Sequence, residues 1–155
     1  MIFMESETKA EQIPPVLLGK AVRLWLQKRV IFSKNEIGKV VREEEPYKIF
    51  RKVMVLQKNH QPKTPGASFK VKFQFTKYSF DTNRRLSLIP IPFIIAQPGF
   101  ISKTWLVGTQ SGCFQGFYEW ESIQTAEKYI NSFPLKLMKK RALPESLQIQ
   151  VAKIN

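Results

Sequence analysis

One cysteine, Cys113, and one histidine, His60, are all that this 155-residue chain holds of either residue. A lone cysteine excludes an internal disulfide framework, and with a lone histidine it excludes the usual four-ligand zinc sites. No apolar run reaches the roughly 20 residues of a membrane span; the longest, residues 13–18 and 86–96, fall well short. The first eleven residues carry Glu5, Glu7 and Glu11 and lack the basic start and apolar core of a leader, so a cytoplasmic protein is expected. There is neither a Walker-type Gly-Lys loop nor a GxGxxG turn, which leaves a nucleotide cofactor unsupported. Acidic residues are scarce, 12 against 25 basic, for a net charge of +13. The excess is spread, +6 before Gly66 and +7 from it onward, and never forms a run of five. The sharpest cluster, Lys139, Lys140 and Arg141, also suits the carboxyl end of a helix dipole.

What is present is core-forming material: 43% hydrophobic residues, among them 12 phenylalanines and 3 tryptophans. Residues 57–68, QKNHQPKTPGAS, break the pattern and read as a linker or long loop. They suggest an N-terminal extension over 1–65 and a domain over 66–155. Within the extension, Leu18, Val22, Trp25, Leu26 and Val30 fall at helical spacing, opposite Lys20, Arg23, Gln27 and Lys28. Such a basic amphipathic helix either docks on the protein's own core or makes peripheral contact with an anionic membrane surface. Residues 36–56 contain the acidic run Glu43–Glu45 and a strand-like stretch at 53–56.

After the linker the pattern is sharper. Phe69, Val71, Phe73 and Phe75 alternate with polar residues as in a strand with one apolar face. Ser79 or Asp81 can cap a helix through Leu88, which Pro90 and Pro92 must end. Residues 100–107 and 113–120 form a β-hairpin around GTQSG. Ile123, Ala126, Tyr129, Ile130 and Phe133 follow at helical spacing behind Ser122, with Pro134 as a stop. Leu147, Ile149 and Val151 alternate in a last strand. The order βαββαβ predicts an α+β, ferredoxin-like sandwich with both helices on one face of the sheet.

Pairing Gly108 with Gly112 places Ser102, Thr104 and Phe100 opposite Tyr118, Gly116 and Trp120, on the helix-covered face. Lys103, Trp105, Gln115 and Phe117 then fall on the other, where uncovered aromatics predict a homodimer interface. RNA-recognition motifs share this strand order, and QGFYEW at 115–120 superficially matches their third-strand signature. Gln115, Tyr118 and Glu119 stand where a basic, a small and an aromatic residue belong, so nucleic acid is not the expected partner. Glu119 and Glu121 could pair as catalytic carboxylates only on the face away from the helices. Cys113 reads as a packed thiol and His60 as a surface residue.

The run PGFISKTWLVGTQSGCFQGFYEWESIQTAEKYINS, residues 98–132, resembles the C-terminal half of the dimeric α+β-barrel superfamily of antibiotic-biosynthesis-monooxygenase-like proteins, and is most similar to the monooxygenase-like proteins of the YdhR type. The resemblance implies a dimeric barrel, a small cavity between sheet and helices in each subunit, and cofactor-independent monooxygenase-like chemistry. It does not fix a catalytic residue. Trp120-Glu121-Ser122 is similar to a segment of the haem-degrading branch, but that branch's axial histidine would fall near Lys139, where this chain has none. A small apolar or aromatic molecule is the implied ligand, with Trp120 and Tyr118 as pocket aromatics and Ser102 and Thr104 as hydroxyls. The same tryptophan and tyrosine also read as plain core residues. The apolar segment Ile91, Phe93, Ile94, Ile95 and Ala96 is expected to fold as an irregular flap near Phe100 and Trp120. It either roofs a pocket or plugs it with Phe93 and Ile94. The rival from another class is a non-catalytic adaptor that uses the basic N-terminal helix.

Overall fold

The structure, a computed structural model, describes residues 12–154. The segment 1–11, expected to carry no leader, lies outside the described residues. Seven strands form one antiparallel sheet: β1 (Val30–Phe32), β2 (Val40–Arg42), β3 (Pro46–Val55), β4 (Ala67–Phe73), β5 (Phe100–Gly108), β6 (Phe114–Trp120) and β7 (Gln148–Lys153). Their order is β1-β3-β5-β6-β4-β7, with β2 beside the first three residues of β3. Helices α1 (Pro14–Leu26), α2 (Phe80–Leu86), α3 (Ile91–Ile95), α4 (Ile123–Lys128) and α5 (Phe133–Arg141) complete the described elements, with short 3-10 turns after α4 and α5. The stretch β7-β4-β6-β5, with α2 and α3 before β5 and α4 and α5 before β7, is the expected βαββαβ sandwich.

The N-terminal segment extends that sheet. Strand β3 pairs with β5 along nearly its whole length, and residues 57–66 join two strands of the same sheet. A bulge between Ile49 and Arg51 breaks the alternation of β3. Tyr47 and Ile49 pack with Leu106 on one face, whereas Phe50 lies against Phe80 and Phe114 on the helix side. Helix α1 docks on the core through Leu17, Ala21 and Leu24, spaced four and three apart. Leu18, Val22, Trp25 and Leu26, the expected apolar face, remain exposed. The helix is apolar around most of its circumference, and the smaller Ala21 admits the closer approach.

Helix α2 ends at Leu86, ahead of Pro90 and Pro92 as expected, yet the prolines also open the helices that follow. Pro92 lies in the first turn of α3 and Pro134 in the first turn of α5, where a missing amide hydrogen costs nothing. The expected flap is therefore a short helix with Pro90 at its N-cap, and Ile91, Ile94, Ile95 and Ala96 are buried in the core. Ser79, Ser122 and Ser132 each accept a backbone N–H at a helix start, and Ser122 with Thr125 forms a full capping box.

The hairpin register also departs from expectation. Gly108 N–H donates to Cys113 O, so the turn holds four residues rather than three, with Gly112 at φ 74°. Trp105 then pairs with Gly116 and Lys103 with Tyr118, and a bulge between Phe100 and Ser102 restores Phe100 to Trp120. A one-residue shift exchanges the faces of β5. Lys103 and Trp105, expected at an interface, face the helices; Ser102 and Thr104, expected in the cavity, face away with Gln115 and Phe117.

That outward face is partly covered by the chain itself. The acidic run at the β2–β3 turn folds over it. Glu43 bonds Lys70 at 2.6 Å and also Lys72; Glu44 bonds Lys72 at 2.7 Å and accepts from Tyr47. Glu45 accepts the backbone N–H groups of Gln110 and Ser111 at the β5–β6 turn.

Candidate functional site

Between the helix side of the sheet, the α2–α3 turn and the end of α5 lies a cavity of about 370 Å³. Strands β4 and β6 supply Val71, Phe73, Phe114 and Tyr118; the helices supply Ile94, Leu137 and Met138. These walls follow from alternation, since Val71 and Phe73 share one face of β4. Gly116 leaves room in the middle of β6: a Cβ there would come within 2.9 Å of the Tyr118 ring and 3.1 Å of Lys103 Cε. The Lys103 stem occupies that room. Its Nζ lies 4.5 Å from the Trp105 ring centroid and 4.6 Å from that of Tyr118. Trp105 carries the Arg51 guanidinium 5.2 Å from its centroid as well, and Arg51 in turn donates to Ser87 Oγ and Arg84 O.

The electrostatics follow from burial. Lys103 is 8% exposed, and desolvation, with the positive charge of Arg51 second, pulls its ammonium down from 10.5 to about 7. Burial likewise lowers Arg51 to about 10. The phenols of Tyr118 and Tyr129 are pushed upward, mainly by desolvation, and the Tyr129 hydroxyl donates to that of Tyr118 at 3.1 Å. Both are held as neutral phenols.

Of the residues expected around a ligand, Tyr118 lines this cavity, as does Ile94 of the expected flap. Trp120 is fully buried and packs 4.9 Å from Tyr129 and 5.7 Å from Phe100, as a core residue. Phe93 packs on Phe133 at 5.1 Å, outside the cavity wall. Ser102 Oγ donates to Glu119 Oε1 at 2.8 Å on the far face, and Thr104 lies beside it. Glu121 pairs with Lys63 at 3.4 Å, so Glu119 and Glu121 do not meet as an acid pair. His60, in an exposed turn, sits with Nε2 2.9 Å from Gln27 O, and Cys113 accepts from Gln74 Nε2. Among the described residues no group of three His, Cys, Asp or Glu could hold a metal ion, and no helix is long and apolar enough to cross a membrane. Lys103 and Trp105 are the site residues that sequence reasoning missed. The signal was a lysine two residues before a tryptophan in a strand, facing a mid-strand glycine once the turn is given four residues.

No family model matches the chain, and no curated protein matches it. Among solved structures it is similar to a ferredoxin-fold protein of Listeria monocytogenes described as uncharacterised and related to antibiotic-biosynthesis monooxygenases, at TM-score 0.57 and 10% identity over 76% of this chain and 69% of that one. It is also similar to a haem-degrading enzyme of the same organism, at TM-score 0.54 and 9% identity over 74% of each chain. The chain thus has a ferredoxin fold, as the first of these structures is described as having.

Proposed function

We propose that this protein binds a small, largely apolar or aromatic molecule in the cavity between sheet and helices. The observation that supports it is the cavity itself: at about 370 Å³ it lies within the roughly 300–1,000 Å³ range of ligand pockets, and its walls are aromatic and aliphatic with few polar groups. Cofactor-independent monooxygenase-like chemistry is the activity that the resemblance of residues 98–132 implies, one neighbour being described as related to antibiotic-biosynthesis monooxygenases, and Lys103, Trp105 and Tyr118 are the side chains that would touch a substrate. Haem does not fit the residues present. The cavity wall offers no histidine or cysteine, and its two tyrosines are bonded, neutral phenols rather than phenolates.

The test is saturable quenching of tryptophan emission by 1,4-naphthoquinone. Trp105→Phe should remove most of the quenching, since Trp105 is the tryptophan on the cavity wall, whereas Trp120→Phe should change it little. Linear, unsaturable quenching in the wild type refutes the reading.

A further inference from the structure

The cavity has a charge bias that its apolar walls do not call for. Of the residues that line it, Lys103, Lys140 and Arg141 are basic, and none is acidic. Carboxylates of β6 and of the β2–β3 turn are engaged on the opposite face, Glu43 and Glu44 with Lys70 and Lys72, and Glu119 with Ser102. Lys140 is exposed at the end of α5, whereas half-buried Arg141 lies over the Phe75 ring and is bonded to Asn83 Oδ1 at 2.6 Å. Lys103 differs from both. More than nine-tenths buried, it extends over Gly116 into the cavity, where among the described residues its Nζ makes no hydrogen bond and no ion pair and has the Trp105 and Tyr118 rings as neighbours. An ammonium group has three donors and no acceptor capacity. Two ring faces satisfy none of those donors, and an unpaired charge in such surroundings costs several kcal/mol.

We propose that the ligand of this cavity is an amphipathic anion, an apolar body bearing one carboxylate or equivalent oxyanion, and that Lys103 Nζ receives the anionic group while the aromatic and aliphatic walls take the body. The proposal rests on the cavity-binding reading above. The anionic group supplies what the wall lacks: acceptor oxygens for the three N–H donors, and a counter-charge between the cations of Lys103 and Arg51. Lys103 is the buried cation of the cavity, so the anionic group lies at the Trp105 end and the apolar body extends toward Leu137 and Met138. Basic residues at the rim favour the approach of an anion from solution.

Two near-isosteric pairs of probes test this: 2-naphthoate against 2-naphthamide, and decanoate against decanamide, titrated calorimetrically into the full chain. A charge-assisted hydrogen bond in a desolvated site predicts that the carboxylate binds at least about tenfold tighter than its amide. In Lys103→Met that ratio should fall to about one. Lys103→Gln, which keeps a donor without the charge, should lie between. A Lys136→Met variant, at an exposed lysine outside the cavity, should keep the wild-type ratio. Equal affinity for acid and amide in the wild type overturns the proposal, as does a ratio that survives in Lys103→Met. Should none of the four compounds bind, the cavity-binding reading itself fails, which is a distinguishable result.

Discussion

Replacing Lys103 by methionine should make the protein more stable. A lysine whose ammonium is held at about 7 in the folded chain and at 10.5 when unfolded binds its proton far more weakly in the folded state. Between those values the unfolded chain holds more protons, so stability climbs as pH rises through the window and is flat below about 7. Integrated across the gap, the effect is roughly 5 kcal/mol, of which about 3 is reached between pH 6 and pH 9. At neutral pH nearly all of the burden is still present in the wild type. Methionine fills a similar volume without charge, losing two cation–π contacts worth about 1 kcal/mol each. Lys103→Met should therefore gain roughly 2–4 kcal/mol at pH 7.

Urea unfolding followed by circular dichroism at pH 6, 7.5 and 9 measures both quantities. The wild type should gain stability across the series and the variant should not; every other titrating group cancels in the difference between them. A variant less stable than wild type at pH 7, or one with the same pH slope, would show that Lys103 is solvated or paired in solution and would refute the reasoning.

Gly116→Ala should cost about 1–3 kcal/mol, because the new methyl group meets the Tyr118 ring and Lys103 Cε, and it should also erase the preference for carboxylates; thermal melts and the same titrations check it. The Glu43 carboxyl, raised by burial but lowered more by Lys70 and Lys72, is held below its usual 4.5, so its contribution is present above that value and lost as pH falls through the folded one. Glu43→Gln should accordingly be less stable than wild type at pH 7, and the gap should close on acidification; a gap that persists at pH 2 contradicts the pairing. A homodimer through the outward sheet face should scatter light at twice 18.1 kDa, and Phe117→Glu should halve the mass; a monomer at tens of micromolar rules out pairing through that face.

The ferredoxin core was legible because β4 and its two flanking helices follow simple rules. Alternate apolar residues from Phe69 to Phe73, and serines in front of apolar helical spacing, each point to one local structure. Strand β3 was nearly invisible for the opposite reason. Its bulge places two successive residues, Phe50 and Arg51, on the same side and destroys the period of two, while Lys48, Arg51 and Lys52 disguise it as surface. Prolines misled because the same residue that breaks a helix interior is favoured in a first turn, and the sequence shows which applies only when the cap is identified.

The cavity depended on a single count. Strand β5 is buried on both faces, so its residues carry no alternation from which to tell inside from outside. Its orientation then rests wholly on how many residues the turn contains. With three residues, Lys103 and Trp105 become an outward patch that asks for a partner chain; with four, they become the inner wall of the cavity. The two assignments place the same lysine in opposite physical situations, solvated in one and desolvated beside Arg51 in the other. Only the second makes its charge costly, and only a costly, unpaired charge selects for an anionic ligand. The pH slope of Lys103→Met against wild type therefore tests the register of the hairpin as well as the chemistry of the site: a buried amine gives the slope, and an outward-facing one gives none.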